Sequence, residues 1–178
     1  MNLANKITMF RLVLIPIFLI LMFSNLPYKD FFSALVFTLA SLTDKADGYV
    51  ARKYNQITNF GKFMDPLVDK IMVSSAMVAL VQMARLESWI VIVILAREFL
   101  ITGLRTVAAD KGIVIPASNY GKYKTTFQMI AVIALMLNNY PFNLINFPFS
   151  SIMVYISLIL TLYSGIDYIV KSKELFLN

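Results

Sequence analysis

Cysteine and histidine are both missing from this 178-residue chain, and charged residues make up only 15% of it. The first absence excludes a disulfide framework and a thiolate nucleophile. The second removes imidazole acid/base chemistry and the ordinary zinc site. Proton transfer therefore falls to carboxylates, lysine or tyrosine. With charge so scarce, apolar residues at 59% and a mean hydropathy of +0.73, the chain has too little polar surface for a water-soluble domain. It contains no internal repeat and no soluble segment, so residues 1–178 read as one membrane domain.

What is present is a succession of apolar runs. Residues 2–9, with Lys6, form a short, mildly amphipathic interfacial segment, and 10–23 form a first span. Arg11, near the start of that span, is expected to snorkel to the cytoplasmic surface. A basic start before an apolar run is also the pattern of a signal peptide. No small-x-small cleavage site or extracellular domain follows, so the run is read as retained. After a turn at 25–27, the apolar run 31–42 is short for a span, and the helix is expected to continue toward Arg52. Residues 53–59 make the next turn, and a third helix covers 61–84. Pro66 there is compatible with an early helical position, and Ser74, Ser75, Ala76 and Ala79 permit close helix packing. Further spans at 86–107, 119–137 and 149–170 are separated by the connection 110–119 and the uncharged loop 138–148. The fold expected is an all-α integral membrane protein with six transmembrane helices.

Residues 43–69 set acidic side chains among these runs. Asp44 and Asp47 are three apart and Asp65 and Asp69 four apart, so each pair shares a helix face. Two such faces meeting across the turn bring up to four carboxylates to one point. Packed that closely they repel and resist desolvation, and a hard divalent cation is the simplest compensation. A lone aspartate near a helix end is more often a cap, but four at this spacing with two glycines in register are not. Gly48 and Gly61 omit side chains where a ligand needs to approach backbone, and small Ala51 lies one turn after Asp47. The opening so formed suits a flat base or a phosphate.

The pattern Asp44-x-x-Asp47-Gly48-x-x-Ala51-Arg52, eight residues, Gly61-x-x-x-Asp65-x-x-x-Asp69 resembles the signature of the CDP-alcohol phosphotransferases, integral membrane enzymes of phospholipid synthesis. The resemblance extends over the whole chain. It implies that Asp44, Asp47 and Asp65, together with Asp69, hold two divalent cations, Mg2+ or Mn2+, and that Asp69 is also the general base. It also implies nucleotide contacts at Gly48, Ala51, Arg52 and Gly61, and a homodimer. A cation or proton transporter would also use intramembrane carboxylates, though nearer mid-membrane between broken helices.

The fourth span contains Arg97, Glu98 and Arg105. Arg97 and Arg105 share a face, and Glu98 is placed to neutralise Arg97. The segments 96–105 and 121–128, with Asn5 to Thr8 and Arg11, resemble the bacterial branch of the family that uses glycerol 3-phosphate with CDP-diacylglycerol. Arg105, Lys122 and Lys124 are then expected around the acceptor phosphate. Lys122 and Lys124 equally suit anchoring to lipid headgroups. Inositol phosphate would need similar charge, and serine less. With both termini cytoplasmic, every one of the 16 basic residues except Lys29 and Arg85 falls on the inner side. That puts the carboxylates at the cytoplasmic face of a bacterial cell membrane. The net charge of +6 then suits anionic membrane lipids and phosphorylated substrates, without calling for nucleic acid.

Overall fold

The computed structural model describes the backbone of residues 3–53, 59–112 and 119–172, and the side chains of 7–43, 64–112, 120–170 and 172. Among these residues there are six α-helices and no strand: α1 (Leu3–Phe23), α2 (Lys29–Lys53), α3 (Asn59–Gln82), α4 (Ser88–Asp110), α5 (Asn119–Met136) and α6 (Phe149–Lys171). Each expected apolar run lies in one helix, and apart from the start of α1 the ends are shifted by up to three residues. α1 runs without a break from the expected interfacial segment into the expected span at 10–23. No residue between them interrupts the hydrogen-bond ladder, so α1 is one helix, with Pro16 inside it. The uncharged loop carries a 3-10 turn, Phe142–Ile145. There Asn139 donates to the Phe147 carbonyl at 2.7 Å and accepts from the Ser150 amide at 2.9 Å, bracing the start of α6.

α1 packs along α2 and α3, and α5 lies along α6. The α1 stripe is Thr8, Arg11, Ile15, Phe18 and Met22, three or four apart and so on one helix face. It meets Phe37 of α2 with the Phe18 ring edge-on at 5.6 Å, and it faces the apolar side of α3. Arg11 lies on this stripe and is 0% exposed, so the expected snorkelling is corrected. The register that buries Ile15 and Phe18 turns Arg11 inward with them.

α6 buries a line of small hydroxyls: Ser157, Thr161 and Ser164. Each donates to a carbonyl one turn back in its own helix, at 2.8, 2.6 and 3.1 Å, which satisfies the hydroxyl and leaves a narrow face for neighbouring helices. Large apolar side chains point outward instead: Ile20 is 69% exposed, Ile92 65% and Ile159 64%. Among the described residues, the stretch Phe149–Val170 is long and apolar enough by itself to cross a membrane, and Ile7–Phe23 is a shorter apolar helix.

At the end of α3 remote from its aspartates, Ala84 adopts φ 56° and closes the helix. Arg85 then donates to Asp30 of α2 at 2.7 Å and to the Met136 carbonyl of α5 at 2.8 Å. One guanidinium thus ties three helices together at the far end of the bundle.

Candidate active site

The first turns of α3 supply two carboxylates and a cation within six residues: Asp65, Asp69 and Lys70. Asp65 and Asp69 stand one turn apart, and both are half-buried. The Thr8 hydroxyl on α1 donates to Asp65 Oδ1 at 2.6 Å, so the first helix sets the direction of that carboxylate. A hydrogen bond to an ionised acceptor is about twice as strong as a neutral one, enough to favour one rotamer.

Asp69 opens into a narrow cavity of about 50 Å³ between α3, α4 and α5, which Lys70, Glu98, Lys124, Thr125 and Gln128 also line. A wider cleft of about 260 Å³ adjoins it. Lys70, Arg97, Arg105, Lys122 and Tyr168 line this cleft, so four cations surround one space. Lys70, Glu98 and Thr125 belong to both walls and mark the junction.

Glu98 is the anion at that junction. Its Oε1 accepts from Arg97 Nη1 at 3.0 Å and from Lys124 Nζ. Arg97 Nη2 also donates to Ser164 on α6 at 2.9 Å, and its guanidinium lies 5.6 Å from the Tyr168 ring centre. Gly165 eases this approach, because a Cβ there would come to 3.2 Å from Arg97 Cγ. Lys124 is only 3% exposed. A buried ammonium is tolerable when a carboxylate neutralises it, as Glu98 does here.

The structure places Arg105 and Lys122 on the walls of the same cleft. Lys124 lies instead in the neighbouring Asp69 cavity, paired to Glu98. The backbone at Asp44, Asp47, Gly48, Ala51 and Arg52 forms the last turns of α2, and that at Gly61 the first turn of α3. The side chains at these positions lie outside the described residues, so the four-carboxylate cluster and the nucleotide contacts are not visible in full. Among the described residues no group of three or more acidic side chains could hold a metal ion. Asp65 and Asp69 supply hard oxygen donors of the type Mg2+ and Mn2+ prefer, Asp65 in a rotamer that Thr8 constrains.

Sequence reading gave no site role to Thr8, Lys70, Arg97 or Tyr168. The shared face of Arg97 and Arg105 was a signal for one of them. The contact of Thr8 with Asp65 spans 57 residues and has no local trace.

Carboxylates beside a cationic cleft at one end of a helical bundle suit transfer between phosphorylated substrates. The chain belongs to the CDP-alcohol phosphatidyltransferase family, a family of membrane enzymes, and matches it over residues 1–163. It is 46% identical to the CDP-diacylglycerol--glycerol-3-phosphate 3-phosphatidyltransferase of Bacillus subtilis, over 97% of this chain and 96% of that protein. The enzyme of the same name from Haemophilus influenzae is 38% identical, over 99% and 96%. A probable phosphatidylglycerophosphate synthase of Mycobacterium tuberculosis is 34% identical, over 96% and 81%.

Proposed function

We propose that the chain transfers the phosphatidyl group of CDP-diacylglycerol to glycerol 3-phosphate, giving phosphatidylglycerol phosphate and CMP. The observation that carries this reading is the cleft lined by Lys70, Arg97, Arg105 and Lys122, which adjoins the Asp69 cavity. An acceptor with a dianionic phosphate at one end and a hydroxyl at the other fits a cationic cleft leading to a carboxylate. The names of the relatives favour glycerol 3-phosphate over inositol phosphate or serine.

Asp69 takes the proton from the acceptor hydroxyl as that oxygen attacks the lipid-side phosphorus, and CMP leaves with the bond between the two phosphates broken. Because a carboxylate is a weak base toward an alcohol, proton removal is late. Asp65, oriented by Thr8, joins Asp44, Asp47 and Asp69 in holding two divalent cations, whose chemistry is to neutralise the pyrophosphate. Gly48, Ala51, Arg52 and Gly61 make room for the nucleotide. Arg105 and Lys122 bind the acceptor phosphate from the cleft, while Lys124, paired to Glu98, lines the inner cavity.

The outward Ile20, Ile92 and Ile159 beside buried Arg11, Lys124 and Gln128 support six helices spanning a bacterial cell membrane, since lipid accepts an apolar exterior. The cytoplasmic bias of basic residues supports a site on that face, where anionic lipids gather. A homodimer completes the reading.

Purified protein in bilayers with CDP-diacylglycerol, Mg2+ or Mn2+ and a panel of alcohols tests the proposal. Release of CMP with glycerol 3-phosphate, with little from glycerol or serine, is the expected result. Preference for inositol phosphate or serine would overturn the acceptor, and no CMP release with any alcohol would overturn the reaction.

A further inference from the structure

The two cavities differ in charge. The outer cleft gathers Lys70, Arg97, Arg105 and Lys122 against Glu98 alone, whereas the inner cavity sets Asp69 and Glu98 against Lys70 and Lys124. Glu98 stands where they meet and accepts from Arg97 and Lys124 at once, through the same oxygen. The ammonium of Lys124 is thereby committed to a protein carboxylate and is not offered to a ligand.

We propose that Glu98 is a positioning and specificity residue that fixes which end of the acceptor points inward. With its two carboxylates matched by Lys70 and Lys124, and Lys124 paired to Glu98, the inner cavity's own side chains offer a phosphate dianion no cationic excess but admit an uncharged hydroxyl. The outer cleft, with its cationic excess, takes the phosphate. A small anionic alcohol can then enter in one sense only, phosphate outward and hydroxyl toward Asp69. The same carboxylate holds Arg97 against Ser164 and Tyr168, so it shapes the cleft as well as guarding the junction. The role rests on the reading of Asp69 as base and of a phosphorylated acceptor given above.

Glu98→Gln keeps the shape and removes the charge. Released from its counter-ion, Lys124 becomes an anion site inside the junction. Inorganic phosphate should then bind the purified protein more tightly, by about 5-fold or more in calorimetry, and inhibit more strongly. Turnover with glycerol 3-phosphate should fall about 10-fold or more while KM for CDP-diacylglycerol stays within about 2-fold. Glu98→Asp retains the charge and should keep phosphate binding near that of the unaltered protein, a comparison that holds even where the glutamine variant fails to fold. Adding Lys124→Met to Glu98→Gln should cancel the gain in phosphate affinity, since it removes the released cation.

Unaltered phosphate affinity in Glu98→Gln, or an equal gain in Glu98→Asp, would overturn the proposal. So would loss of turnover matched only by loss of folded protein. Phosphate binding is measured without turnover, so absence of CMP release from the unaltered protein would count against the proposed reaction and leave the binding test to decide on Glu98.

Discussion

Asp69 has its chemical surroundings defined by two other helices, with Glu98 and Lys124 on the walls of the cavity it enters. Asparagine there keeps the shape and removes the basic oxygen. Asp69→Asn is expected to lower turnover by at least about 100-fold, the lower end of general-base contributions, with CDP-diacylglycerol binding largely intact. CMP release and a separate nucleotide-binding measurement check this, and near-normal turnover would remove Asp69 from the role of base. Spacing alone announced Asp65 and Asp69, because two residues four apart share a face on any helix. The partners of those side chains were not legible. Glu98 and Lys124 are 26 residues apart, and Arg97 reads locally as the whole explanation for Glu98. Arg11 was misjudged for a related reason: hydropathy says how deep a residue lies, but the helix register decides whether it faces lipid or protein.

At the scale of the helices, Arg85 is an instructive case. In the sequence it is merely one of two basic residues on the wrong side of the charge count. In the fold it joins α2, α5 and the end of α3 through Asp30 and two carbonyls. Arg85→Ala should cost roughly 1–3 kcal/mol, since the ion pair is partly exposed and the carbonyl bonds contribute the larger share. Asp69 lies about 24 Å away along α3, so turnover at permissive temperature should be unchanged. A lower midpoint for thermal inactivation with normal initial rates is expected. Loss of rate at low temperature would mean that the far end of the bundle communicates with the site. The helix positions themselves were readable because apolar runs bounded by turn residues leave few alternatives. The continuity of α1 was not, since amphipathicity changes along it without any breaker.

Across the described residues of the whole molecule, large apolar side chains such as Ile20, Ile92 and Ile159 face outward, while Arg11, Lys124 and Gln128 are buried. Composition foretold the lipid setting, but which way the bundle faces depends on counting basic residues on loops. The lack of cysteine makes that orientation directly measurable. In closed vesicles or cells, Lys111→Cys is expected to react with a membrane-impermeant maleimide only from the cytoplasmic side, and Asn143→Cys only from the opposite side. Both residues are exposed. The reverse pattern would invert the protein, and labelling of both from one side would break the six-span arrangement.

The bond from Thr8 to Asp65 has a consequence for biosynthesis. A nascent chain that has threaded only its first two helices carries the hydroxyl without the carboxylate it orients, and one that has threaded four carries Glu98 without Lys124. No amino-terminal fragment holds both contacts until the fifth helix has docked. Partial products of translation are therefore expected to be inert rather than weakly active, and the order of helix insertion itself keeps half-made chains from consuming an activated lipid.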